Sequence, residues 1–216
     1  TLGFDTVTTD GVTGGNALIL ADVANGGSVT LGGVSSSAAQ VTQVDVTNAS
    51  NGTNNELTVN TEASGQLGTL KVDEVEDLTV SVGGGDQSLT VDANKAETID
   101  VVGNANLNLT LSTPAVTSID ASDLSGDLNV TTNVADLSIQ GGSGDDLLEA
   151  ADNGATLQGG DGDDNLFVNG GAINVELVGG LGNDIFDFTA GSSIAVAESA
   201  NIQDFNMGDA IRLSVG

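Results

Sequence analysis

The chain has 216 residues and sets 31 Asp and Glu against three basic residues, for a net charge of −28. Nucleic acid and anionic membrane surfaces are excluded as partners, and compaction calls for a neutralising cation, with calcium the first candidate. Having no cysteine and no histidine, it lacks disulfides, thiolate and imidazole zinc sites and every nucleophile or base built on those side chains, and it reads as no enzyme.

Hydrophobic residues make up 38% of the chain and recur in short Val, Ile and Leu clusters, which suffices for a core, while 31 glycines against the single Pro114 point to many tight turns. No apolar run approaches the ~18 residues of a membrane span, so no membrane insertion is expected, and no basic-then-apolar leader is present. The chain starts at Thr1 rather than Met and is read as a fragment whose targeting information lies elsewhere.

Residues 1–56 carry strand-like runs at Ala17–Leu20, Val29–Leu31 and Val41–Val46. The expectation is an irregular, antiparallel β subdomain or the first coils of a solenoid. The Ser/Asn/Gly-rich stretch Asn48–Asn55 is the boundary candidate. From residue 57, inward-looking aliphatics recur every nine to eleven residues at Leu78, Leu89, Ile99, Leu109, Ile119, Leu128, Leu137, Leu148, Leu157, Leu166, Leu177 and Phe186.

Their period-two clusters, rich in Val and Thr, argue for strands in either a sandwich or a stacked parallel solenoid. The absence of Trp and Tyr favours the solenoid, whose aliphatic ladders need no large rings. The predicted fold is all-β. A solenoid without metal motifs spans 57–140, a metal-binding roll spans 141–190, and a capping segment spans 191–216. The cap is expected because Phe167, Phe186, Phe188 and Phe205 all fall in the last 50 residues, where a solenoid must cover its final coil.

Three nonapeptides share the pattern G-G-x-G-x-D-x-U-x, with U a large apolar residue. They begin at Gly141, Gly159 and Gly179. The glycines let the backbone curl so that carbonyl oxygens face one concavity, and the sixth-position Asp adds a carboxylate. Two such turns stacked one strand spacing apart, roughly 4.8 Å, offer the oxygens that a hard cation needs.

The expected ligand set is Gly141, Gly142, Ser143, Gly144 and Asp146; Gly159, Gly160, Asp161, Gly162 and Asp164; and Gly179, Gly180, Leu181, Gly182 and Asp184. Two calcium ions are expected, between Asp146 and Asp164 and between Asp164 and Asp184, with Asp164 serving both through its two oxygens. The half-coils between the motifs hold Ala155 and Val175 in place of the sixth-position Asp, so metal is expected on one edge only. An EF-hand reading of Asp161-x-Asp163-x-Asn165 fails because Leu166 and Ala172 stand where Gly and Glu belong. Asp86, Asp120, Asp123 and Asp127 are read as solvated acidic turns, with further ions the alternative.

These nonapeptides resemble the repeats-in-toxin (RTX) family of β-rolls. Ile119–Val130 is similar to coils that precede the calcium tract in bacterial surface-layer proteins, and Asn201–Leu213 is similar to the segment that closes an RTX roll. The resemblance implies one-step (type I) bacterial secretion and folding outside the cell on meeting calcium. The expected function is that of an extracellular structural fragment of a surface-layer subunit at the bacterial cell surface, packing with copies of itself into a homo-oligomeric lattice. The rivals are an RTX adhesin segment and the non-catalytic RTX module of a secreted enzyme.

Overall fold

The computed structural model describes residues 4–10, 18–32, 41–46, 54–62, 64–112, 115–150, 152–169, 172–188 and 200–213. They form nineteen strands: β1 (Phe4–Asp10), β2 (Leu18–Gly32), β3 (Val41–Val46), β4 (Glu56–Thr61), β5 (Gly65–Asp73), β6 (Asp77–Val82), β7 (Gln87–Ala93), β8 (Thr98–Gly103), β9 (Leu107–Leu111), β10 (Ser118–Asp120), β11 (Leu128–Thr131), β12 (Ser138–Gln140), β13 (Leu147–Ala150), β14 (Thr156–Asp161), β15 (Asn165–Val168), β16 (Val175–Leu181), β17 (Ile185–Phe188), β18 (Ala200–Ile202) and β19 (Ala210–Leu213). Among the described residues there is no helix, and every strand pairing is parallel. The chain is a parallel β-solenoid.

Parallel neighbours need a crossover, and here each face is the crossover of the other. The even-numbered strands from β4 to β18, with β1 and the end of β2, stack into one face; the odd-numbered strands from β3 to β19, with the start of β2, form the opposite one. β2 reaches both because its backbone turns between Val23, which lies against β3, and Gly27, which lies against β4. Gly26, at φ +73°, stands in that corner.

Of the two arrangements expected within residues 1–56, the antiparallel subdomain is overturned and the solenoid coils are found. The described strands there are the first solenoid coils, in which β1 and β4 flank β2 in parallel. Much of the expected boundary, residues 47–53, lies outside the described residues; β3 and β4, on either side of it, belong to opposite faces.

The core is two facing ladders. Leu57, Leu78, Ile99, Ile119, Ile139, Leu157 and Leu177 stack on one face. Leu89, Leu109, Val130, Leu148, Leu166 and Phe186 stack on the other. All are at most 2% exposed, and such burial contributes about 1.5–3 kcal/mol per large side chain.

Every aliphatic expected to face inward is buried, but Leu128 and Leu137 occupy positions two residues before the ladder members Val130 and Ile139. Period-two alternation turns residues i and i+2 to the same side, so both members of each pair point inward. The capping segment takes the form of a last coil. β18 pairs with β16 and β19 with β17, and the Phe205 ring lies 6.1 Å from that of Phe186.

Candidate metal centre

The three glycine motifs fall at one edge of the solenoid, each leading from an even-numbered strand into the following odd-numbered one. The differing steps between them, 18 residues from Asp146 to Asp164 and 20 from Asp164 to Asp184, leave the stacking intact. Gly160 lies beside Gly180 and Leu166 beside Phe186, so the two extra residues are absorbed at the opposite edge. That opposite edge buries Leu137, Ala155 and Val175, so its inward positions are apolar where the motif edge buries aspartates.

Successive sixth-position aspartates form a buried column. Asp146 Oδ1 accepts the Leu128 N–H at 2.7 Å, Asp164 Oδ1 accepts the Asp146 N–H at 2.8 Å, and Asp184 Oδ1 accepts the Asp164 N–H at 3.0 Å. All three side chains are at most 2% exposed. In Asp146 and Asp164 the other oxygen lies beside a carbonyl of the coil that follows.

A Cβ built on Gly159 would fall 2.1 Å from Asp164 Oδ2 and 2.5 Å from the Gly179 carbonyl oxygen of the next coil. One built on Gly141 would fall 2.1 Å from Asp146 Oδ2 and 2.2 Å from the Gly159 carbonyl oxygen. Carboxylate and carbonyl oxygens of adjacent coils thus converge in a space kept open because the residue there has no side chain. Asp146 Oδ2 accepts the Gly142 N–H at 2.8 Å, whereas Asp164 Oδ2 and Asp184 Oδ2 are buried without a hydrogen-bond partner.

Burial is the main force on these groups. It pushes the Asp146 carboxyl up to about 6 against the pull of the Leu128 and Gly142 amides. Asp164 is pushed up to about 7, again chiefly by burial, with Asp146 and Asp184 adding repulsion. Asp184 is raised by burial and by Asp209 and Asp204 beside it.

No basic side chain relieves the column. Lys71 pairs with Asp73 at 2.9 Å, Lys95 with Glu74 at 2.5 Å and Arg212 with Asp187 at 2.8 Å. Buried carboxylates without a counter-charge are costly. A hard divalent cation, which takes carboxylate and backbone oxygens together, fits the donor set. Among the described residues no three or more acidic side chains gather as a metal-holding group; each motif brings one inner carboxylate and leaves the remaining oxygens to the backbone.

The side chains of Ser143, Asp161 and Leu181 face solvent, so the third motif position has only its backbone near the column. The glycines are fixed by close approach. Gly180 has φ +106°, and a Cβ there would lie 2.0 Å from the Gly160 carbonyl oxygen.

A second, exposed ladder runs one residue upstream in sequence. Asn106 Oδ1 accepts the Asp127 N–H at 2.8 Å, Asp127 that of Asp145 at 2.9 Å, Asp145 that of Asp163 at 2.8 Å and Asp163 that of Asn183 at 2.8 Å. Its carboxylates reach forward along the stack while the inner column reaches back. Asp127 therefore caps the next coil, and Asp120 closes its own turn by accepting the Ser122 N–H at 3.0 Å.

Two residues that the motif search passed over complete the column. Asp209 Oδ1 accepts the Asp184 N–H at 3.0 Å across a 25-residue step, and Asp204 accepts the Gly179 and Gly180 N–H groups, both at 2.8 Å. Asp209 keeps the sixth position of the motif, but the longer step and the loss of all three motif glycines, with Asp204, Phe205 and Met207 in their places, hide it. A scan against models of protein families finds no match, and a search of curated proteins finds none.

Proposed function

We propose that this chain is an extracellular structural solenoid stapled by calcium, part of a self-assembling bacterial surface layer. The observation that supports it best is the aspartate column: buried carboxylates, two of them with an oxygen lacking any partner, set against backbone carbonyls of the next coil with no cation of the protein's own nearby. Asp146 with the Gly159 carbonyl would hold one ion, and Asp164 with the Gly179 carbonyl a second. The ions would supply the charge compensation that the chain lacks and bind coil to coil. The surface-layer reading rests on the resemblance of Ile119–Val130 and of the glycine motifs, and on coils that expose polar faces for lateral packing.

Calorimetric titration of the metal-free chain with calcium tests the first part. Each filled site adds about 2.7 kcal/mol of stability at a calcium concentration 100-fold above its dissociation constant, so chelation should lower the melting temperature. A melting curve unchanged by chelator would overturn the reading. Electron microscopy of the protein with and without calcium tests the second part: ordered sheets are expected with calcium, and dispersed particles under all conditions would remove the assembly role.

A further inference from the structure

The column continues past the last glycine motif. β18 and β19 place the turn Asp204–Asp209 directly on Gly179–Asp184, so that Asp204 aligns with Gly179 and Asp209 with Asp184. Asp184 is 1% exposed, and its Oδ2 has no partner. That oxygen lies 2.2 Å from where a Cβ on Gly179 would be, the relation that Asp164 Oδ2 bears to Gly159 at 2.1 Å. The last coil reaches the same residue, since Asp204 Oδ1 accepts the Gly179 N–H at 2.8 Å, so Gly179 has the buried Asp184 oxygen beside its Cα and the Asp204 carboxylate on its amide.

Asp204 stands where the coils above have glycine. Its two oxygens each accept one N–H, from Gly179 and Gly180, and an ionised carboxylate keeps lone pairs beyond those two. Asp209 fixes the turn by accepting the Asp184 and Asn206 N–H groups.

We propose that the gap between the third motif and the last coil is a further calcium site, in which Asp184 and Asp204 supply carboxylates and Asp209 positions the turn. The inference rests on the calcium reading above and extends it to a turn without the double glycine. This gap would carry two carboxylates where each gap above carries one. The ion would hold a coil that the core holds poorly, since Phe205, Ile211 and Leu213 remain 49–60% exposed.

The test is calorimetric titration of the full chain and of Asp204→Asn with calcium alone, the variant keeping a side-chain oxygen for the amides. Three ions per unmutated chain and two per variant are expected. Two in both, or three in both, would overturn the additional site and leave the calcium reading intact; no binding in either would overturn both. Should the variant fail to fold, anomalous scattering from calcium-grown crystals of the unmutated chain decides the matter: density between Gly179 and Asp204 supports the site, and density confined to the two gaps above refutes it.

Discussion

The two oxygens of each column aspartate have different work. In Asp164, Oδ1 caps the Asp146 amide of the coil before, and only Oδ2 faces the space before Gly179. Asp164 thus meets the coil before it by a hydrogen bond through Oδ1 and the Gly179 carbonyl of the coil after it through Oδ2. Spacing in the sequence made the column visible, but the direction of each oxygen depends on which amide lies opposite. The raised carboxyls of Asp146 and Asp164, about 6 and about 7 against an ordinary 3.8, set a pH dependence. Between about pH 4 and 7 the folded metal-free chain holds more protons than the unfolded one, so its stability is full below that window and falls as pH rises through it. Calorimetric melting in chelator should show this fall, saturating calcium should oppose it, and Asp164→Asn should flatten it. At the glycines, Gly180→Ala should cost roughly 3 kcal/mol or more through backbone strain and the collision with the Gly160 carbonyl. Gly26→Ala, at φ +73° with nothing within 4 Å of the new Cβ, should cost only about 1–2 kcal/mol; urea melts of the two variants compare them.

Among the elements, strand identity was legible because inward residues alternate with period two, and that same alternation hid the register. Leu128 and Val130, or Leu137 and Ile139, serve equally well as inward residues in the sequence, and only pairing with neighbours selects the ladder member. Parallel pairing in the first coils was not legible either, because short strands of either sense share one pattern. Among the described residues the coil of β18 and β19 pairs with one neighbouring coil and leaves Ile211 and Leu213 half-exposed. Without calcium, amides of β18 and β19 should exchange with solvent faster than those of β13 to β15, read residue by residue by NMR, and calcium should slow them most. Equal protection across these strands in chelator would mean that the last coil is held by its core contacts alone.

For the whole molecule, a charge of −28 wound into coils one strand spacing apart sets like charges closer than the Debye length, about 8 Å at physiological salt. In chelator, sodium chloride should therefore raise the melting temperature, and in saturating calcium the slope should be flatter, because the ions have already removed part of the repulsion. Adjacent residues bind each coil of the tract in both directions: Asp163 reaches forward to Asn183 while Asp164 reaches back to Asp146. The column also has distinct ends, since it opens on the Leu128 amide and closes where the Asp209 N–H turns back to Asn206. Its interior is consequently a repeating unit whose upper surface is complementary to its lower one. The 18 residues 147–164, one full circuit from β13 to the start of β15, carry both aspartates and could be duplicated in place without changing what either neighbour meets. Length is then a quantity that tandem duplication can alter in whole circuits, each adding one strand spacing to the rod and one buried aspartate to its edge.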